Sequence, residues 1–208
     1  MSRFSLALLI TAVALNFAAP STAAAQERDL GGVLGDLWGT VLETPTAENP
    51  FAGGDPCVDL GPIVAPLSPF FTSVACTVKP SQSLFVSAWS SECSTFEAAP
   101  YFGADENELR ACAREVDAGL TPPTLLVDGI PVPVTEVETD LLSIHLPKDN
   151  IFGEPKSDRK GLSVAHGWVA SLGRLSPGTH EIVIHLEGTY LGSPVDFTNT
   201  TTIIVAKK

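Results

Sequence analysis

The clearest periodicity in the chain is helical and lies over Asp105 to Ala118, where Leu109, Cys112, Ala113 and Val116 make one apolar stripe. Asp105 stands at the N-cap position with Glu108 three residues on, so each side chain can take up an amide that the first turn leaves free. Glu106, Arg110 and Arg114 recur at four-residue steps and predict a solvated, salt-bridged face. An earlier apolar pattern, Val33, Leu34, Leu37, Trp38, Val41 and Leu42, is spaced by three and four. It predicts a short amphipathic helix docked on the body of the domain. The acidic, proline-bearing stretch from Glu43 to Pro56 reads as a loop.

Most of the remainder is strand-like and punctuated by Gly, Pro and Asp. Strands are expected at Ser83 to Ser90, Thr124 to Val127, Ile130 to Val137, Leu141 to Leu146, Ser163 to Ser171, His180 to Thr189 and Val195 to Ala206. Asp128-Gly129 is expected to be a tight hairpin turn. Several short strands with a single inserted helix predict a mainly β fold, an antiparallel β-sandwich of immunoglobulin-like or jelly-roll kind, over residues 57–208. Residues 26–56 would form an N-terminal arm with a short helix and a linker.

The N-terminus adds a compartment. Arg3, the apolar run from Phe4 to Ala19 and the small residues up to Ala25 form a signal-peptide pattern, with cleavage expected after Ala25. That apolar run is short for a membrane span of roughly 20 residues, and no later segment is long enough. The chain is therefore expected to be secreted or periplasmic. Its net charge of −12 makes nucleic acid and anionic membranes poor partners and suits a cation or a cationic partner. Cys57, Cys76, Cys93 and Cys112 are even in number, and in an oxidising compartment predict two disulfides. Pairing Cys57 with Cys76 and Cys93 with Cys112 closes two local loops, each stabilising by about 3 kcal/mol. Their spacing is too wide for the close pairs of a zinc site.

Several segments together carry a resemblance. Trp38, Asn49-Pro50 leading to Cys57, Ala75-Cys76-Thr77-Val78, Glu92-Cys93-Ser94 with Glu97, Glu108 to Ala113, Val127-Asp128-Gly129, Leu146-Pro147 with Asn150 to Gly153, and Leu175 to His180 resemble a group of secreted, uncharacterised microbial proteins. The resemblance covers nearly the whole mature chain and implies a shared architecture without an activity. His166-Gly167-Trp168 departs from the acidic residue, Gly and aromatics expected before the last strands.

The chemical motifs narrow quickly. His180, Glu181 and His185 suggest a zinc protease until the gap of five and the β-branched Ile182-Val183-Ile184 place the two histidines on opposite faces of a strand. Gly161-Leu162-Ser163-Val164-Ala165 matches only the first half of a nucleophile elbow, so Ser163 is expected simply to enter a strand. Glu92 and Glu97 flank Cys93 and are the candidate acid and base of a carbohydrate-active hydrolase or lyase, with His166 nearby. Glu92, Glu97, Asp105, Asp149 and Asn150 are also the candidate oxygen ligands of a structural calcium ion, the one cofactor the sequence suggests. Tyr101, Phe102 and Trp168 are candidate aromatic contacts for a sugar or another extracellular surface ligand. Asn199-Thr200-Thr201 matches a glycosylation acceptor. The first expectation is a non-catalytic extracellular binding or surface-interaction module. The carbohydrate-active enzyme comes second and a structural envelope component third.

Overall fold

A computed structural model describes residues 22–68 and 72–207. The expected leader, residues 1–25, lies outside the described residues except for its last four, where helix α1 (Thr22–Leu42) has already begun. The strands are β1 (Cys57–Asp59), β2 (Ile63–Pro66), β3 (Val74–Val78), β4 (Ser83–Ser94), β5 (Thr124–Val127), β6 (Ile130–Val132), β7 (Thr135–Glu138), β8 (Leu142–His145), β9 (Lys160–Gly173), β10 (Gly178–Tyr190) and β11 (Ser193–Val205). Helix α2 (Glu106–Asp117) lies between β4 and β5. The first sheet has the order β1-β2-β4-β9-β7, with β8 also on β9, and the second β3-β11-β10-β5-β6.

Both sheets are mixed, which corrects the expectation of a purely antiparallel arrangement. The chain leaves β2, adds β3 to the second sheet, and returns as β4 beside β2, so β2 and β4 run parallel; β3 also runs parallel to β11. Both expected helices form, and the N-terminal one is longer than its apolar pattern, spanning Thr22–Leu42. The strand expected from Ile130 to Val137 is cut at Pro133, which has no amide to donate to a ladder. Its first half stays in the second sheet as β6 and its second half joins the first sheet as β7. The Asp128-Gly129 turn forms as expected, with φ of 51° and 77° at the two positions, the left-handed values of a type I′ hairpin.

The central strands of the first sheet are covered on both faces, and their burial loses its alternation accordingly. Ser163 to Ala170 of β9 are all buried. On the inner face, Val86, Ala88 and Ala170 pack with Ile182, Ile184 and Ile203 of the second sheet. On the outer face, α1 sets Leu34, Leu37, Trp38 and Val41 against Phe85, Ala165 and Val169. Helix α2 extends the inner layer, with Leu109, Ala113 and Val116 against Cys93 and Val164. Gly167 permits a close approach of β9 to β4, since a Cβ there would lie 2.2 Å from the Trp89 carbonyl oxygen.

The disulfides tie these layers together. Cys57–Cys76 joins β1 to β3 across the two sheets, and Cys93–Cys112 joins β4 to α2. At the end of α2, Asp117 is 1% exposed and accepts from Trp89 Nε1 at 2.7 Å and Ser91 Oγ at 2.6 Å. Its second oxygen lies 2.9 Å from His166 Nδ1, whose Nε2 meets Glu136 at 3.1 Å. Burial draws the imidazole pKa down, but the hydrogen bond and charge of Asp117, with Glu136 beyond, outweigh it and leave the pKa raised. On the expected solvated face, Arg110 and Arg114 both reach Glu138 of β7, so that face is half-covered by the first sheet.

Asp117→Ala should cost about 3 kcal/mol, because it orphans the Trp89 donor and leaves His166 facing an empty site. Glu136→Ala, at the solvent end, should cost less than about 1 kcal/mol; urea unfolding of the two variants measures both. The His166 contribution should be complete below pH 6.5 and fade as pH rises through the raised folded pKa.

Candidate functional site

Beyond Leu84 no strand among the described residues pairs with the β2 side of β4. A cleft of about 510 Å³ opens along this free edge. One wall is the second sheet, through Ile182, Ile184, Phe197, Asn199 and Thr201. The other is the end of α1 with the segment after it, through Trp38, Leu42 and Phe51. Val86 to Glu92 of β4 form the floor, and Glu97, Tyr101 and Tyr190 stand at its sides.

Glu92 and Glu97, singled out from the sequence, come together here. The β4–β9 register puts Glu92 opposite Ala165, facing the α1 side of the sheet, and Ser163 Oγ donates to it. Glu97 lies in the loop after β4 and accepts from Ser94 Oγ at 3.1 Å. The two carboxyl groups also hydrogen-bond to each other, which requires a proton between them. Burial raises the pKa of Glu92 well above its ordinary value, and the charge of Glu97 adds to the effect. Burial pushes Glu97 up to about 7. Near neutrality Glu92 therefore keeps its proton while Glu97 is about half ionised, so the pair is partly charged at one side of a largely apolar cleft. Direct contact is closer than the roughly 5 to 9.5 Å that separates the carboxyls of glycoside hydrolases. His166 is not with them: it projects from the other face of the first sheet, toward Asp117.

The other candidates are scattered. Asp105 caps α2 by accepting the Glu108 amide at 3.0 Å. Asn150 braces its own loop through Pro147 and Glu154, and the Asp149 side chain is exposed. Among the described residues no three His, Cys, Asp or Glu side chains converge as a cation site. Tyr101 reaches the cleft and bonds Tyr190 through their hydroxyls at 2.7 Å, whereas Phe102 is at the surface, 47% exposed. Trp168 offers a ligand no face, since β10 covers the inner side of the sheet and leaves it packed on Leu120 and Leu186. His180 and His185 pair separately with Asp128 and Asp196.

Asn199 corrects the glycosylation reading. It is 5% exposed, and its Nδ2 donates to Ser68 Oγ at 2.7 Å and to the Thr72 carbonyl at 3.0 Å. Among the described residues its Oδ1 is buried without a partner, and the residue lies along the cleft wall. The sequence reading missed Asn199 and Asp117 as interior polar groups. Asp117 sits four and eight residues beyond Ala113 and Leu109, on the buried side of α2, and that spacing was its only signal.

No family model and no curated protein matches the sequence. Among solved structures, the solution structure of amebosin aligns at 12% identity, covering 66% of this chain and 99% of that chain, with a TM-score of 0.19. A likeness at that score carries no argument about fold or function.

A carboxyl whose pKa is raised on folding keeps a proton that the unfolded chain releases, so stability falls as pH rises from about 4.5 to 7. Glu97→Gln removes that loss. The variant should melt about 3 °C above the parent at pH 8, corresponding to about 1 kcal/mol, with no gain at pH 4.5, as followed by differential scanning calorimetry.

Proposed function

We propose that the protein is an extracytoplasmic binding module whose site is the cleft along the free edge of β4. The observation that carries this reading is the cleft itself: largely apolar, and provided with a few polar groups at defined positions, Glu92 and Glu97 foremost. Ligand sites have this composition, with apolar walls supplying affinity and sparse polar groups fixing orientation. An elongated ligand with an apolar body fits the walls, and a hydrogen-bond donor or cation fits the carboxyl pair. The two sheets sharing one core support the sandwich reading, in which edges and loops carry function on a rigid body. The disulfides and the signal-peptide pattern support action outside the cytoplasm.

Hydrolysis by Glu92 and Glu97 is a second reading, favoured by their raised pKa values in a concave site. Their mutual contact favours binding over catalysis of the glycosidase kind, because no bond can be placed between an acid and a base that touch each other.

Trp38 and Trp89 line the cleft while Trp168 is buried away from it. Titrating an apolar reporter dye such as 8-anilinonaphthalene-1-sulfonate into the oxidised mature protein should quench part of the tryptophan emission in a saturable way and raise the melting temperature. Unchanged emission and melting would remove the cleft as a ligand site. Release of reducing sugar from a glycan panel, abolished by Glu92→Gln, would establish the second reading instead.

A further inference from the structure

We infer that the occupant of this cleft is an extended polypeptide segment that adds to β4 as a new strand and places a lysine, an arginine or a terminal ammonium group at the Glu92–Glu97 pair. This rests on the reading of the cleft as a ligand site and specifies what the ligand is.

The backbone supplies the first argument. In an antiparallel strand the amide and carbonyl of successive residues point alternately to the two sides. The Thr95 amide bonds the Leu162 carbonyl and so continues the ladder to β9, whereas the Ser94 amide bonds the Tyr101 carbonyl on the opposite side. Counting back, Cys93 and Ser91 face β9, and Glu92 and Ser90 face the cleft. Among the described residues no backbone group bonds the amide or carbonyl of Ser90 or Glu92. Ser94 shows that this side accepts a strand, because it forms a parallel bridge with Phe102. An edge with unpaired amides, set in an apolar groove, is the site at which an extended peptide gains main-chain hydrogen bonds together with side-chain burial. A lipid tail would leave those amides unpaired and dry, at a cost, and a sugar would meet them through isolated hydroxyls without the regular ladder that a strand supplies.

Charge supplies the second argument. The carboxyl pair lies at the same stretch of β4 as the free amides, and Glu97 is its more exposed member. A basic group on the incoming strand would replace the shared proton and complete the hydrogen bonding of both carboxyls. The net charge of −12 favours the approach of a basic segment over an acidic one.

The test uses the full oxidised mature chain and a displayed library of random heptapeptides. Enriched peptides should share one basic position flanked by apolar and β-branched residues. Synthetic versions should bind at least tenfold more weakly to Glu97→Gln, with Glu187→Gln, an exposed acid on β10, leaving affinity unchanged. N-methylation of alternate peptide amides should weaken binding at least tenfold without altering any side chain. The Ser90 and Glu92 amides should gain hydrogen-exchange protection in the complex. Affinity should fall as pH drops below about 7, where the pair takes up its second proton.

Enrichment without a basic residue, indifference to N-methylation, or absence of peptide enrichment from a protein that still binds the apolar dye would overturn the inference and leave the cleft reading standing. Failure of dye and peptides alike would remove both. Calorimetric unfolding of Glu97→Gln confirms that the variant is folded before its affinity is interpreted.

Discussion

The double burial of β4 and β9 is the constraint on which the rest of this structure depends. A strand covered on both faces needs two apolar layers, and here the second sheet with α2 supplies one and α1 supplies the other. That requirement makes α1 part of the body. It also explains the small residues Ala165, Gly167 and Ala170 in β9, where neighbours approach from both sides at once. Because β2 pairs with β4 only at its first residues, the lateral pairing on that side ends before β4 does. The remaining length of β4 keeps its walls and loses its neighbour, so the cleft follows from the same layering that builds the core.

Polar groups inside this layering fall into two sets separated by the first sheet. On the inner side, Asp117 gathers Trp89, Ser91 and His166 into one satisfied network, which fixes the end of α2 and leaves little capacity for a ligand. On the outer side, Glu92 and Glu97 satisfy each other and two serines while still bordering open space. The first set is a joint, and the second borders a cleft. Both contain acids next to hydroxyls, and only burial with register tells them apart.

Local signals in the sequence carried a large share of this. The spacing of Leu34, Leu37, Trp38 and Val41, the Asp105 cap, the Asp128-Gly129 turn and the two nearest-neighbour cysteine pairs each depend on residues close in the chain, and each is found where the pattern places it. The parallel pairings, the switch of β7 to the other sheet and the place of Trp168 depend on which strands meet across long separations, and periodicity says nothing about that. The site was half legible. Glu92 and Glu97 stood out because they flank a cysteine, but their contact arises from the β4–β9 register, and the register is also what sends His166 to the other face. Asn199 was misread because an Asn-Thr-Thr triplet looks the same on a solvated strand and on one whose alternate side chains enter a core.

The two disulfides close loops of the same short span, 19 residues each, whereas β4 pairs with β9 across some seventy residues of chain. Both sulfur pairs precede β9 in the chain, so in an oxidising compartment their pairing does not have to wait for the sheet it later reinforces. The covalent framework is thus a local memory of the first half of the chain, and the last three strands are recruited onto it without any cysteine of their own.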